Sequence, residues 1–204
     1  MNLPRVHWRL LCLVPLLGLG VLPSARAEEM ALPVQRQAEL LLTILRYDRN
    51  LKTKAGSELA IGIVHDPSDR DSAKATTEFG SAVFQYRGKT VSQLPIRHYD
   101  IEYTNNAGLE RFVKQKGISV LYIAPGNARN LGNILQLSQE LHLTTATGVP
   151  DYVRRGASVG LTLAQDRPQI LINLQSSKAE GSEFTASLLR LEAVSIIKAK
   201  VGTP

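Results

Sequence analysis

Gly156-Ala157-Ser158-Val159-Gly160 spells G-x-S-x-G. In hydrolases that pattern holds a nucleophilic serine on a strained turn between a strand and a helix, with a helix N-terminus helping the oxyanion. Ser158 lacks both supports for this chemistry. The residues after it, Val159 to Ala164, alternate like a strand, and no histidine follows His142 in the chain to act as its base. Gly156 and Gly160 are then turn and close-approach glycines.

A second group lies in His65-Asp66-Pro67-Ser68-Asp69-Arg70-Asp71, where one imidazole and three carboxylates follow an apolar strand. The stretch has neither the central glycine nor the terminal glutamate of a calcium loop, and no second histidine sits at zinc-pair spacing. No metal site is therefore expected. Asp66, Ser68 or Asp69 can cap the following helix. His65, Asp66 and Asp69 also stand where open α/β sheets bind ligands, outside the carboxyl end of a strand. A third group, Tyr152, Arg154 and Arg155, has the composition of a partner-contact loop. His98 and His142 are isolated and read as structural. There is no G-x-G-x-x-G, Walker loop, H-E-x-x-H or catalytic cysteine, and no cofactor is expected.

These residues need a scaffold, and the chain supplies one after a leader. Arg5 and Arg9, the apolar run Leu10 to Leu22 and small residues at Ala25 and Ala27 make residues 1–27 a secretory signal peptide, cleaved after Ala27 and directing the protein to the periplasm. The run is too short, and broken by Pro15, to span a membrane. The leader contains the only cysteine and the only tryptophan. It also holds three of the 24 basic residues and no acidic one, so residues 28–204 carry a net charge of +3 rather than +6. The basic balance of the precursor is no argument for nucleic acid, and the mature domain can form no internal disulfide.

From residue 28 onward the pattern is one α/β domain. An amphipathic helix places Ala38, Leu41, Leu42 and Leu45 on one side, and Leu59 to Val64 forms a buried strand. Helices then alternate with strands near Ile96–Tyr103, Val120–Pro125 and Leu143–Gly148. This predicts a mostly parallel sheet flanked by helices. The close is different: two strand-like runs around Asp166-Arg167 form an antiparallel hairpin, and Ser177 to Lys198 reads as one closing helix with Phe184, Leu188, Leu191 and Val194 on a face.

The C-terminal half resembles the YfiR family. The resemblance rests on Gly156 and Gly160, on Ile172-Asn173-Leu174 closing a strand, and on Ser187-Leu188-Leu189-Arg190-Leu191 in the helix that follows. Asn173 is expected to bond loop backbone, and Leu188, Leu189 and Leu191 to pack the helix on the sheet. The resemblance implies a non-catalytic periplasmic regulator that holds an inner-membrane diguanylate cyclase, or another membrane sensor, inactive through its periplasmic domain. It would thereby set cyclic-di-GMP and biofilm formation. It also implies a possible homodimer, while the redox switch of some members is closed to a mature chain without cysteine. The alternative is a periplasmic small-solute-binding component of a transport or sensing system. Transport receptors close two α/β lobes around a ligand, and this chain supplies about one. Both readings predict that Ser158→Ala, if folded, retains function; abolished activity in a folded variant would restore the nucleophile.

Overall fold

The computed structural model describes residues 28 and 30–197. The expected leader, residues 1–27, lies outside them. Helix α1 (Val34–Leu45) buries Ala38, Leu41, Leu42 and Leu45, the stripe expected from their spacing. A short helix α2 (Leu51–Ala55) occupies the Lys-rich stretch before strand β1 (Leu59–His65), which is buried up to its last residue. Helix α3 (Arg70–Phe84) starts where Asp69 accepts a 2.8 Å bond from the Ser72 amide. Asp69, rather than Asp66 or Ser68, is therefore its cap.

The two-residue strand β2 (Thr90–Val91) pairs antiparallel with β3 (Leu94–Glu102). Helix α4 (Asn106–Lys116) is capped by Asn105 and ends at Gly117, in the left-handed conformation that favours glycine. Strand β4 (Val120–Ile123), helix α5 (Leu131–Glu140), strand β5 (Thr144–Thr147) and the short helix α6 (Pro150–Arg154) follow. The antiparallel hairpin is β6 (Val159–Ala164) and β7 (Arg167–Asn173). Its loop is Gln165-Asp166, one residue earlier than expected. Both residues have positive φ, 49° and 60°, as a tight hairpin twist requires.

The single closing helix is instead two short ones, α7 (Leu174–Ala179) and α8 (Ala186–Leu189), followed by strand β8 (Val194–Ile197). Gly181, at φ 73°, turns the chain between the helices. The β-branched run Val194-Ser195-Ile196-Ile197 suits a strand better than a helix, and it pairs parallel with Ile170–Asn173. Leu188 is buried as expected and Leu189 partly so, but Leu191 lies beyond α8 and is 45% exposed. It does not pack on the sheet.

All eight strands form one sheet in the order β2-β3-β1-β4-β5-β6-β7-β8. Strands β3, β1, β4, β5 and β6 run parallel; β2, β7 and β8 run against them. Side chains alternate between two cores. Leu59, Ile61, Ile63, Val120 and Tyr122 face α1 and α3, whereas Ala60, Val64, Leu121 and Ile123 face α4 and α5. In the first core Phe79 stacks on Tyr122 at 3.6 Å between ring centres, and the Tyr122 hydroxyl donates to Gln37 Oε1 at 2.6 Å.

Gly160 lets α6 lie against the hairpin. A Cβ there would stand 2.6 Å from Val153 Cγ2 and 3.1 Å from Leu171 Cβ. Overpacking of this kind costs about 1–3 kcal/mol. Gly160→Ala should lower the unfolding free energy by that amount, seen as a lower urea midpoint at unchanged slope, and an unchanged midpoint would mean that the two elements do not approach so closely.

Candidate functional site

The chain runs from β1 to β3 on one side of the sheet, then crosses to β4 on the other side of β1. The segments leaving β1 and β4 therefore diverge, and a crevice opens beyond their carboxyl ends. A cleft of about 450 Å³ lies there, lined by Glu28, Asp66, Ser68, Asp69, Asp71, Pro125, Gly126, Ala128 and Arg129. Asn127, fully buried, holds its floor: its Nδ2 donates to Val64 O at 3.2 Å and to Ala124 O at 3.0 Å, tying the two strand ends together.

Among the proposed ligand-edge residues, Asp66 and Asp69 line this cleft. His65, half-buried at the end of β1, does not, and its Nδ1 is buried without a hydrogen-bond partner. Asp66 Oδ1 accepts from Ser68 N at 2.8 Å and Ser68 Oγ at 2.6 Å. Those bonds hold its carboxyl below its usual range, with smaller help from the charges of Arg129 and His65.

Glu28 was not singled out by sequence reasoning, since no pattern distinguishes a glutamate ahead of the first helix. Its carboxylate accepts from the Gly126 amide and from the Tyr152 hydroxyl. Tyr152 itself is 1% exposed, so it is not part of a surface patch with Arg154 and Arg155. The reason is local: Pro150–Arg154 is a helix, not a loop, and turns Tyr152 and Val153 inward while leaving both arginines exposed. Burial, reinforced by the Glu28 carboxylate, pushes the Tyr152 phenol far above its ordinary range, so it remains a donor. Arg155 lies 5.9 Å from its ring centre while bonding Ala128 O at 2.7 Å.

Ser158 lies at the other end of the sheet. It is fully buried, precedes β6, and donates its hydroxyl to Glu180. Glu180 also accepts from Thr145 N at 2.8 Å and Thr145 Oγ1 at 2.7 Å. Lys54 Nζ completes the cluster, donating to Thr144 Oγ1 at 2.6 Å, Ser182 Oγ at 2.8 Å and Glu180 O at 2.9 Å. Ser158 is thus a buried donor to an acid, with a strand and no helix directly after it. Asn173, buried at the end of β7, accepts from Ser176 N at 3.1 Å and donates to Val153 O at 3.1 Å, linking the hairpin to α7 and α6. Among the described residues, no group of three or more His, Cys, Asp and Glu side chains is placed to hold a metal, and no helix is long and apolar enough to cross a membrane.

The described residues form one α/β lobe with a crevice at its switch point. It is similar to an ABC domain from Streptococcus pneumonia solved in complex with L-Trp, at TM-score 0.57 and 13% identity, over 81% of this chain and 60% of that one. It is also similar to a conserved domain protein from Vibrio cholerae, at TM-score 0.54 and 13% identity over 80% and 60% of the two chains. A ligand-free, open substrate-binding protein with adhesive properties from Clostridium difficile matches at TM-score 0.50 and 19% identity, over 74% and 58%. The chain spans about 60% of the length of these structures. No curated protein matches it. The YfiR/HmsC-like family model matches residues 34–192, and the chain belongs to that family. Family and fold are consistent with a secreted periplasmic protein.

Burial raises the Glu180 pKa to about 7, against the opposing hydrogen bonds of Ser158 and Thr145 and the charge of Lys54. Its folded value lies above the ordinary 4.5. Between those values the folded protein holds a proton that the unfolded chain has released, so stability falls as pH rises through the window. Glu180→Gln, a mimic of the neutral acid, should remove that component. The stability difference between wild type and variant should move in the variant's favour by roughly 1–3 kcal/mol from about pH 4 to about pH 8. A difference independent of pH in urea titrations would show that Glu180 stays ionised throughout.

Proposed function

We propose that this protein is a non-catalytic periplasmic sensing component that binds a small solute in the cleft between the ends of β1 and β4. The observation that carries this reading is the position of the cleft. It lies at the switch point of an open parallel sheet, where such sheets bind ligands, and both Asp66 and Asp69 reach it. Its volume, about 450 Å³, is in the range of small-molecule sites. The likeness to structures described as substrate-binding or as holding L-Trp supports the same reading. A single lobe leaves one wall of the cleft to be supplied from elsewhere, either by a second copy in a homodimer or by a partner. That suits a sensor better than a transport receptor that closes on its own.

Membership of the YfiR/HmsC-like family favours a second reading of what the sensing does. The protein would repress an inner-membrane diguanylate cyclase through its periplasmic domain, with Arg154 and Arg155 offered as exposed contacts. Intracellular cyclic-di-GMP in a deletion strain would rise, and only the form carrying residues 1–27 would reverse the rise. Unchanged cyclic-di-GMP would remove this output and leave solute binding in place.

For the primary reading, a thermal-shift panel of amino acids, sugars and nucleosides should contain at least one solute that raises Tm by linkage. Arg129→Ala together with Asp69→Asn should abolish that rise. A flat panel, or a response indifferent to both substitutions, would sink it.

A further inference from the structure

The path of the chain into the cleft is anchored at Leu32, Met30 and Glu28. Leu32 is buried, and its carbonyl accepts from Gln37 Nε2 at 2.7 Å. Met30 Sδ sits 3.5 Å from the Tyr122 hydroxyl and 3.8 Å from Gln37 Nε2. Two residues before Met30, the Glu28 carboxylate meets the Gly126 amide and the Tyr152 hydroxyl at the cleft wall. One donor is backbone at the exit of β4, and the other is a buried phenol. Together they form a built pair for one carboxylate oxygen, with Arg129 in the same cleft.

We infer that this end of the cleft is a carboxylate subsite and that Glu28 occupies it as a tethered ligand, which an incoming small carboxylate must displace. The inference rests on reading the cleft as a solute site and names the chemical class of that solute. A tether of a few residues gives Glu28 an effective concentration in the millimolar range. The segment therefore sets a threshold: weak carboxylates are excluded, and the solute that succeeds also releases the chain ahead of α1. Leader removal after Ala27 would make Glu28 the first residue of the protein, adding an α-ammonium in a cleft whose lining includes Asp66, Asp69 and Asp71. Ligand occupancy would then be exchanged for a free N-terminal arm, which gives a sensing protein a means of changing its surface without closing a second lobe.

The test is chemical rescue on the exported, processed protein. In Glu28→Ala, sodium propionate, which matches the missing side chain, should raise Tm saturably by about 2–4 °C over sodium chloride at equal ionic strength. The wild type should need roughly tenfold more propionate for the same rise, and adding Tyr152→Phe to the variant should abolish the rescue. The Gly126 amide resonance gives a reading independent of stability: it should shift on removal of Glu28 and return with propionate. Equal responses of wild type and variant, or none in either, would overturn the inference. Any carboxylate solute found for the wild type should bind Glu28→Ala roughly tenfold tighter, as for a site nine-tenths self-occupied. Equal affinity would remove the tethered ligand while leaving solute binding in place. Propionate rescue with a flat solute panel would do the reverse.

Discussion

The Glu180 carboxylate is where the lower half of the molecule is joined. It takes hydrogen bonds from Thr145 at the start of β5 and from Ser158 ahead of β6. The carbonyl of the same residue, just past α7, receives Lys54 from α2. Three separated stretches of chain therefore converge on one buried residue. Burying an acid is costly unless its oxygens are bonded, and here the donors come from the start of β5 and from the residue ahead of its paired neighbour β6. The register of β5 against β6 and the placement of α7 depend on this cluster. Neighbouring polar groups extend the arrangement: Asp48 Oδ1 accepts from the amides of Asn50 and Glu183, and Asn50 Nδ2 donates to Gly181 O.

This closure at the amino ends of the parallel strands contrasts with the opening at their carboxyl ends. At the lower end Ser158, Glu180, Thr144 and Ser182 are buried and bonded to one another, so nothing there is available to a ligand. At the upper end the diverging chains leave a cleft, and Asn127 spans only its floor. The closed and the open ends thus lie at opposite ends of one sheet, and a serine in a catalytic-looking pattern belongs to the closed end.

Much of this was legible in the sequence because it follows from local pattern. The buried stripe of α1, the uniform burial of β1 and the alternation of strand with helix all come from spacing that one side chain at a time can reveal. The capping role of Asp69 and the cleft-lining position of Asp66 follow from what ends a strand and starts a helix. The failures share a cause. Leu188 and Leu191 have helical spacing, but a long-range partner, the free edge of β7, captures Val194 to Ile197 as a strand. Tyr152 beside two arginines has surface composition, yet the proline-led turn of helix rotates it inward against Asn127 and Glu28. Glu28 and Glu180 acquire meaning only from residues about a hundred and about twenty positions away, respectively. No periodicity encodes such pairs.

The charge balance of the cleft explains how one more carboxylate can lie in an acid-rich crevice. Asp66 commits an oxygen to both donors of Ser68, and Asp69 commits one to the Ser72 amide. Their charge is thereby partly answered within their own turn. Glu28 instead meets donors that have no other acceptor assigned to them: the Gly126 amide and a phenol whose burial keeps its proton in place. The crevice separates the two kinds of site, acidic groups satisfied locally on the α3 side and donors held rigidly on the β4 and α6 side. The side on which a carboxylate settles is decided by fixed donors rather than by net charge.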